Sequence, residues 1–196
     1  MLSLWLGIAA FVLFFIYDIN SVKWKNEVIH RFFAAGAVLL VLSSVTDILK
    51  AVKAGAFKGF FDVLLIVFSA VSLAALIYSL FFALPFDETY VKNSEERKVY
   101  DRGVYALCRH PGIICYFLMQ LFLGLAALPE KMIINGMILS LMNLLYAWFQ
   151  DRITFPKTFT DYTVYRKNVP FLLPTLKSIK RAKETLGKAQ SREEIQ

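Results

Sequence analysis

The chain has 196 residues, 58% of them hydrophobic and 19% charged, with a formal net charge of +7. A mean hydropathy of +0.55 excludes an ordinary water-soluble domain, which lacks the polar surface to cover so much apolar area, and indicates a polytopic α-helical membrane protein. The apolar runs are unbroken rather than alternating, which excludes a transmembrane β-barrel.

The first run, Leu2–Tyr17, has no basic lead-in and no small-residue cleavage site, so it reads as a membrane span rather than a secretory signal. Further spans are expected at Phe32–Leu49, Phe61–Leu84, Tyr105–Leu128 and Met132–Phe149. Each is near the roughly 20 residues that a helix needs to cross about 30 Å of hydrocarbon. The expectation is an all-α fold of about five spans, with residues 1–176 as one membrane domain and 177–196 as a basic cytoplasmic tail. Pro129–Lys131 is too short for anything but a tight turn, so the last two spans form an antiparallel hairpin.

Five spans put the loops after spans one and three and the C-terminal segment on one side. That side holds 18 of the 22 Lys and Arg, which makes it cytoplasmic and leaves the N-terminus outside. The basic charge is then explained by topology and by attraction to anionic lipid headgroups, with no need of nucleic acid. His30, Asp47 and Asp62 fall near span ends, where they meet water. Cys108 and Cys115, seven residues apart, are too distant on one helix for a disulfide, and no metal-site spacing is present.

Two cytoplasmic stretches are the natural walls of a pocket: Pro85–Gly103, of mixed charge with Glu95, Glu96, Arg97 and Lys98, and Arg152–Pro174, where aromatic and basic residues interleave. Beyond them Leu176, Ile179 and Leu186 recur at helical spacing among Lys177, Lys180, Arg181 and Lys183. This reads as a short interfacial helix on the inner leaflet, with a solvated, frayed end past Gly187.

Arg109, His110 and Pro111 stand where the first of these stretches meets a run, Gly112–Leu128, without a charged residue. An arginine at the centre of a membrane helix costs roughly 2.5–3.5 kcal/mol, so one at its mouth either snorkels to water or binds a polar ligand. The surrounding segment reads Gly103-Val104-Tyr105-Ala106-Leu107-Cys108-Arg109-His110-Pro111-Gly112, and after span five comes Tyr162-Thr163-Val164-Tyr165-Arg166-Lys167-Asn168-Val169-Pro170. Together these motifs resemble the isoprenylcysteine carboxyl methyltransferase and phospholipid methyltransferase group of integral membrane enzymes. The resemblance covers Asp101 to Pro174.

That resemblance implies S-adenosylmethionine as cofactor and a lipophilic acceptor, isoprenylcysteine-like, phospholipid-like or a small thiol, entering from the bilayer. It implies cofactor contacts from Tyr105, Arg109, His110, Pro111, Asp151, Tyr162 and Tyr165, and acceptor contacts from Gln150 and Arg152; no catalytic residue is assigned. The chain departs from the group at Ile113 and Cys115, where a tyrosine and a glycine are usual, and at Phe159, where a glycine is usual. A pair of glutamates is replaced by Gln150 and Asp151.

The chemistry is compatible with this. A guanidinium forks onto a carboxylate, an imidazole serves a ribose or adenine, and phenol rings offer faces to a flat base or a cation. Methyl transfer relies on positioning and desolvation, so few acid–base groups are needed. Blander roles remain open: Tyr162 and Tyr165 as headgroup-level belt residues, Asp151 with Arg152 as a helix end. Two other functions also stay open. One is a degenerate relative that binds lipid or a partner without catalysis; the other is a nicotinamide-dependent enzyme like the sterol reductases.

Overall fold

The computed structural model describes residues 1–83, 97–127 and 130–193, with no side-chain detail beyond 185. Of the described residues 80% are helical, and no strand occurs among them. Glu95, Glu96 and Pro129, and the side chain of Leu186, lie outside that description. The helices are α1 (Leu2–Val22), α2 (Glu27–His30), α3 (Phe32–Lys53), α4 (Phe60–Ile77), α5 (Val104–Leu107), α6 (Pro111–Ala127), α7 (Glu130–Phe149), α8 (Phe155–Thr158), α9 (Tyr162–Asn168) and α10 (Leu176–Glu193). Five-residue π turns, Tyr78–Phe82 and Gln150–Thr154, extend α4 and α7.

Among the described residues, four helical stretches are long and apolar enough to cross a membrane: Leu2–Val22, Glu27–Lys53, Phe60–Phe82 and Lys131–Thr158. The helix α6 is equally apolar but has 17 residues. Side chains such as Val38, Val41 and Val45 on α3, and Phe61, Val67 and Val71 on α4, face outward and are exposed. Such continuous apolar faces suit hydrocarbon rather than water.

The chain divides into two compact units. The first comprises Met1–Leu73 and Tyr116–Thr154. Here α1 lies along α3 with the backbones close together, because Gly36 leaves room for the Phe14 ring; a Cβ on Gly36 would sit 2.7 Å from that ring and 3.0 Å from the Ala10 carbonyl oxygen. Gly7 admits Leu139 of α7 in the same way. Phe11, Phe14 and Tyr146 form an aromatic core, with the Phe14 and Tyr146 rings stacked at 5.6 Å. One end is pinned by polar contacts: the Ser43 hydroxyl donates to the Ser3 carbonyl at 2.7 Å, and Asn135 donates to Ser3 and Asp47 at 3.4 Å. Asp47 thus bonds to protein, and Asp62 accepts from the Gly59 amide at 2.9 Å. At the other end Asn20 imitates a backbone pair with Asn26 and closes the turn from α1 to α2.

The second unit comprises Ala74–Cys115 and Phe155–Gln196. Its core is Tyr162, Tyr165 and Val169, with Val99, Phe155 and Phe159 against them. The helix α10 packs on α5 and buries Ser178 and Ala182; the Arg181–Asp101 ion pair and the Gly103 amide, donating to Thr185 at 3.2 Å, tie it to the segment just before α5.

Three sequence expectations shift. The helix expected from Tyr105 begins at Pro111 instead: the turn Val104–Leu107 ends in extended backbone at Cys108, the chain bends at Arg109, and His110, as the residue before a proline, disfavours helix. The helix expected to end at Tyr17 runs to Val22, since Asp18 and Asn20 are buried rather than at a water boundary. The tail expected to fray past Gly187 has helical backbone to Glu193.

Candidate functional site

The path into the second unit's core starts at Gly103, whose φ of +56° and ψ of −128° lie where side-chain-bearing residues are strained. One turn of helix follows, and then extended backbone at Cys108. Two successive amides between α5 and α6, outside any helix, find partners: Arg109 N–H donates to the Pro170 carbonyl at 2.9 Å and His110 N–H to the Phe171 carbonyl at 3.3 Å. The two sequence motifs, some sixty residues apart, are therefore tied together through main-chain atoms.

Arg109 is half-buried, and its Nη1 donates to the Arg166 carbonyl at 2.9 Å and also to the Val169 carbonyl. These are carbonyls at the C-terminal end of α9, left without partners inside the helix, and a positive charge there is favourable. Its guanidinium also lies 5.6 Å from the centre of the Phe171 ring. Arg109 thus staples α9 to the entrance of α6.

His110 is buried, with its imidazole parallel to the Phe155 ring at 5.8 Å and tilted against Phe171 at 5.0 Å. Tyr162 and Tyr165 are 2% and 6% exposed, which removes them from any headgroup belt. The Tyr165 hydroxyl donates to the Tyr105 carbonyl at 2.7 Å, and the Tyr105 hydroxyl donates to the Ser79 carbonyl at 2.7 Å. Burial first, then neighbouring Tyr162, Tyr105 and Cys108, pushes the Tyr165 phenol far above its ordinary range, so it stays a donor. Burial also pushes the Cys108 thiol up to about 11, against a lowering from the His110 backbone and Arg109. A thiol held neutral in this way is a packing group, not a nucleophile.

The described part of the first segment expected to wall a pocket, from Arg97, and the part of the second from Phe155 onward meet in this unit. The Val99 amide donates to Asp161 Oδ1 at 2.9 Å, and the Thr160 amide donates to the Arg97 carbonyl at 3.1 Å. Tyr105, Arg109, His110, Pro111, Tyr162 and Tyr165 are together here. Gln150, Asp151 and Arg152 belong to the first unit, on the π turn that ends α7. There Asp151 is buried, Gln150 half-buried and Arg152 exposed.

The sequence reading passes over Asp18. It is 4% exposed on α1, and its carboxylate is hydrogen-bonded by the Gln150 and Tyr146 side chains. The available signal was its isolation, since no other carboxylate occurs before Glu27. Compared with family models, curated proteins and solved structures, the chain matches none of them.

Proposed function

We propose that this is a membrane-embedded methyltransferase that uses S-adenosylmethionine on a lipophilic acceptor. The observation that carries the reading is the aromatic, cation-bearing compartment in which the Arg109-His110-Pro111 turn and the Tyr162–Pro170 segment are joined by backbone hydrogen bonds. The compartment fits the chemistry of such a cofactor: flat faces from His110, Phe155 and Phe171 suit an adenine, and Arg109 brings the positive charge a carboxylate needs. Bound there, the cofactor would supply an electrophilic methyl group on a sulfonium. The protein's part is to orient and to keep water out, which its buried tyrosines do without acting as acids or bases.

In this reading the 17-residue α6 is the fifth span, rising about 26 Å, the short end of what crosses a bilayer. The N-terminus is outside and the C-terminus cytoplasmic. The helix α10 rests on anionic headgroups through exposed Lys177, Lys180 and Lys183 beside Leu176. The engagement of Arg109 with α9 carbonyls favours a second reading, a lipid- or partner-binding relative without catalysis.

Calorimetry of the purified protein in detergent decides between them. The methyltransferase reading expects S-adenosylmethionine and its demethylated product to bind and NADPH not to. No binding of the first two overturns it.

A further inference from the structure

Within the first unit, Asn20 and Asp18 make an instructive pair on α1. Asn20 is 1% exposed, yet its side chain is fully used: Oδ1 accepts from the Asn26 amide and Nδ2 donates to the Asn26 carbonyl, both at 2.9 Å. Asp18 is 4% exposed and is held by the Tyr146 hydroxyl and the Gln150 amide, but its Oδ2 is buried with no hydrogen-bond partner among the described residues. No cation pairs with it among those residues.

Tyrosine and glutamine side chains orient a carboxylate as neutral dipoles; they do not offset its charge. A buried carboxylate without a counter-charge is costly by several kcal/mol, and acidic side chains inside membrane spans are typically paired or mark the path of a ligand. Gln150 sits on the five-residue π turn, a widened turn that is frequent at functional sites. Buried Asp151 follows it directly. The walls are aromatic: the Tyr146 ring is flanked by Phe14 at 5.6 Å and Phe15 at 5.3 Å. A hard metal ion such as calcium or magnesium wants about six or more oxygen ligands, and no group of three or more His, Cys, Asp or Glu that could hold a metal occurs among the described residues. A positive centre carried on an organic molecule wants one or two acceptors and welcomes ring faces.

We propose that Asp18 is the counter-charge of a binding site for an organic cation, an ammonium or sulfonium centre received at Oδ2 while Tyr146 and Gln150 hold the carboxylate. Two sources carry that chemistry: a soluble cofactor, which rests on the methyltransferase reading, and the headgroup of an aminophospholipid, which does not.

The test is binding to the full chain in neutral detergent, comparing the parent with Asp18→Asn. The probes are S-adenosylmethionine, S-adenosylhomocysteine, short-chain phosphatidylethanolamine and, as the control without an amine, short-chain phosphatidylglycerol. At least one cationic probe should bind the parent and lose roughly ten- to a hundred-fold in Asp18→Asn, with the control unchanged. A loss confined to S-adenosylmethionine assigns Oδ2 to the sulfonium; one shared with its demethylated product assigns it to the ammonium. A loss only for phosphatidylethanolamine keeps the Asp18 site and assigns it to the lipid amine, and the cofactor reading then stands or falls on whether the parent binds S-adenosylmethionine at all. If S-adenosylmethionine binds both forms equally and phosphatidylethanolamine does too, the Asp18 proposal is overturned while the cofactor reading stands. If the parent binds no cationic probe above the control, the proposal is overturned outright. Should Asp18→Asn not fold, Tyr146→Phe replaces it: a weaker affinity for the cationic probe is expected, and an unchanged one counts against the site.

Discussion

Replacing Arg109 by alanine removes the staple on α9 while leaving the backbone bond from residue 109 to Pro170 in place. Hydrogen bonds to charged groups contribute about 1.5–3 kcal/mol each, and an arginine over an aromatic ring adds about 0.5–1 kcal/mol. Arg109 is half-buried, so the sum is screened; a local loss of about 2–4 kcal/mol is the expectation. That corresponds to roughly a 30- to 700-fold larger population of opened α9, because each 1.4 kcal/mol is a factor of ten. Trypsin reads it directly, since Arg166 and Lys167 lie in the last turn of α9 and are cut when it opens. Arg109→Lys, a point charge without the planar fork, should fall between parent and alanine. The alanine variant should still purify as a folded, helical protein. If its cleavage between Arg166 and Asn168 rises by less than about threefold, the guanidinium is not what fastens α9, and the attribution fails.

Gly36→Ala should destabilise the protein by about 1–3 kcal/mol, read as a lower midpoint in thermal or denaturant unfolding, because the new methyl meets Phe14 and the Ala10 carbonyl. In a Cys115→Ser background, alkylation of Cys108 should be slow at neutral pH. It should climb about tenfold per pH unit up to about 11, since a raised value keeps the thiol protonated until then; a plateau near 9 would mean an ordinary thiol. A cysteine placed at Ala54 should react with membrane-impermeant reagent in intact cells, and one at Ser191 should not; the reverse pattern would turn the proposed topology over.

Much of the helical scheme was legible in sequence because length and hydropathy suffice for it. Where α6 begins was legible in principle, as His110 precedes Pro111 and a residue in that position resists helix. Motif order was enough to expect Tyr105, Arg109, His110, Tyr162 and Tyr165 in one unit, but not that Gln150, Asp151 and Arg152 belong to the other. What escaped notice has a common physical cause. The partners of Arg109 are main-chain carbonyls, which every residue carries, so no pattern of side chains points to them. Asp18 is hard to read from sequence, because a lone acid at the end of an apolar run looks like any residue at a water boundary. Only the approach of Tyr146 and Gln150, far along the chain, makes it an interior group.

The pair of amides at Arg109 and His110 that grips Pro170 and Phe171 has an implication for how this junction is probed. Replacing residue 109 or 110 by alanine leaves both N–H groups intact, so an alanine scan is blind to the clasp itself. Proline is the informative substitution, because it deletes the amide donor itself. A proline scan from 108 to 110 would separate what the side chains contribute from what the backbone alone secures.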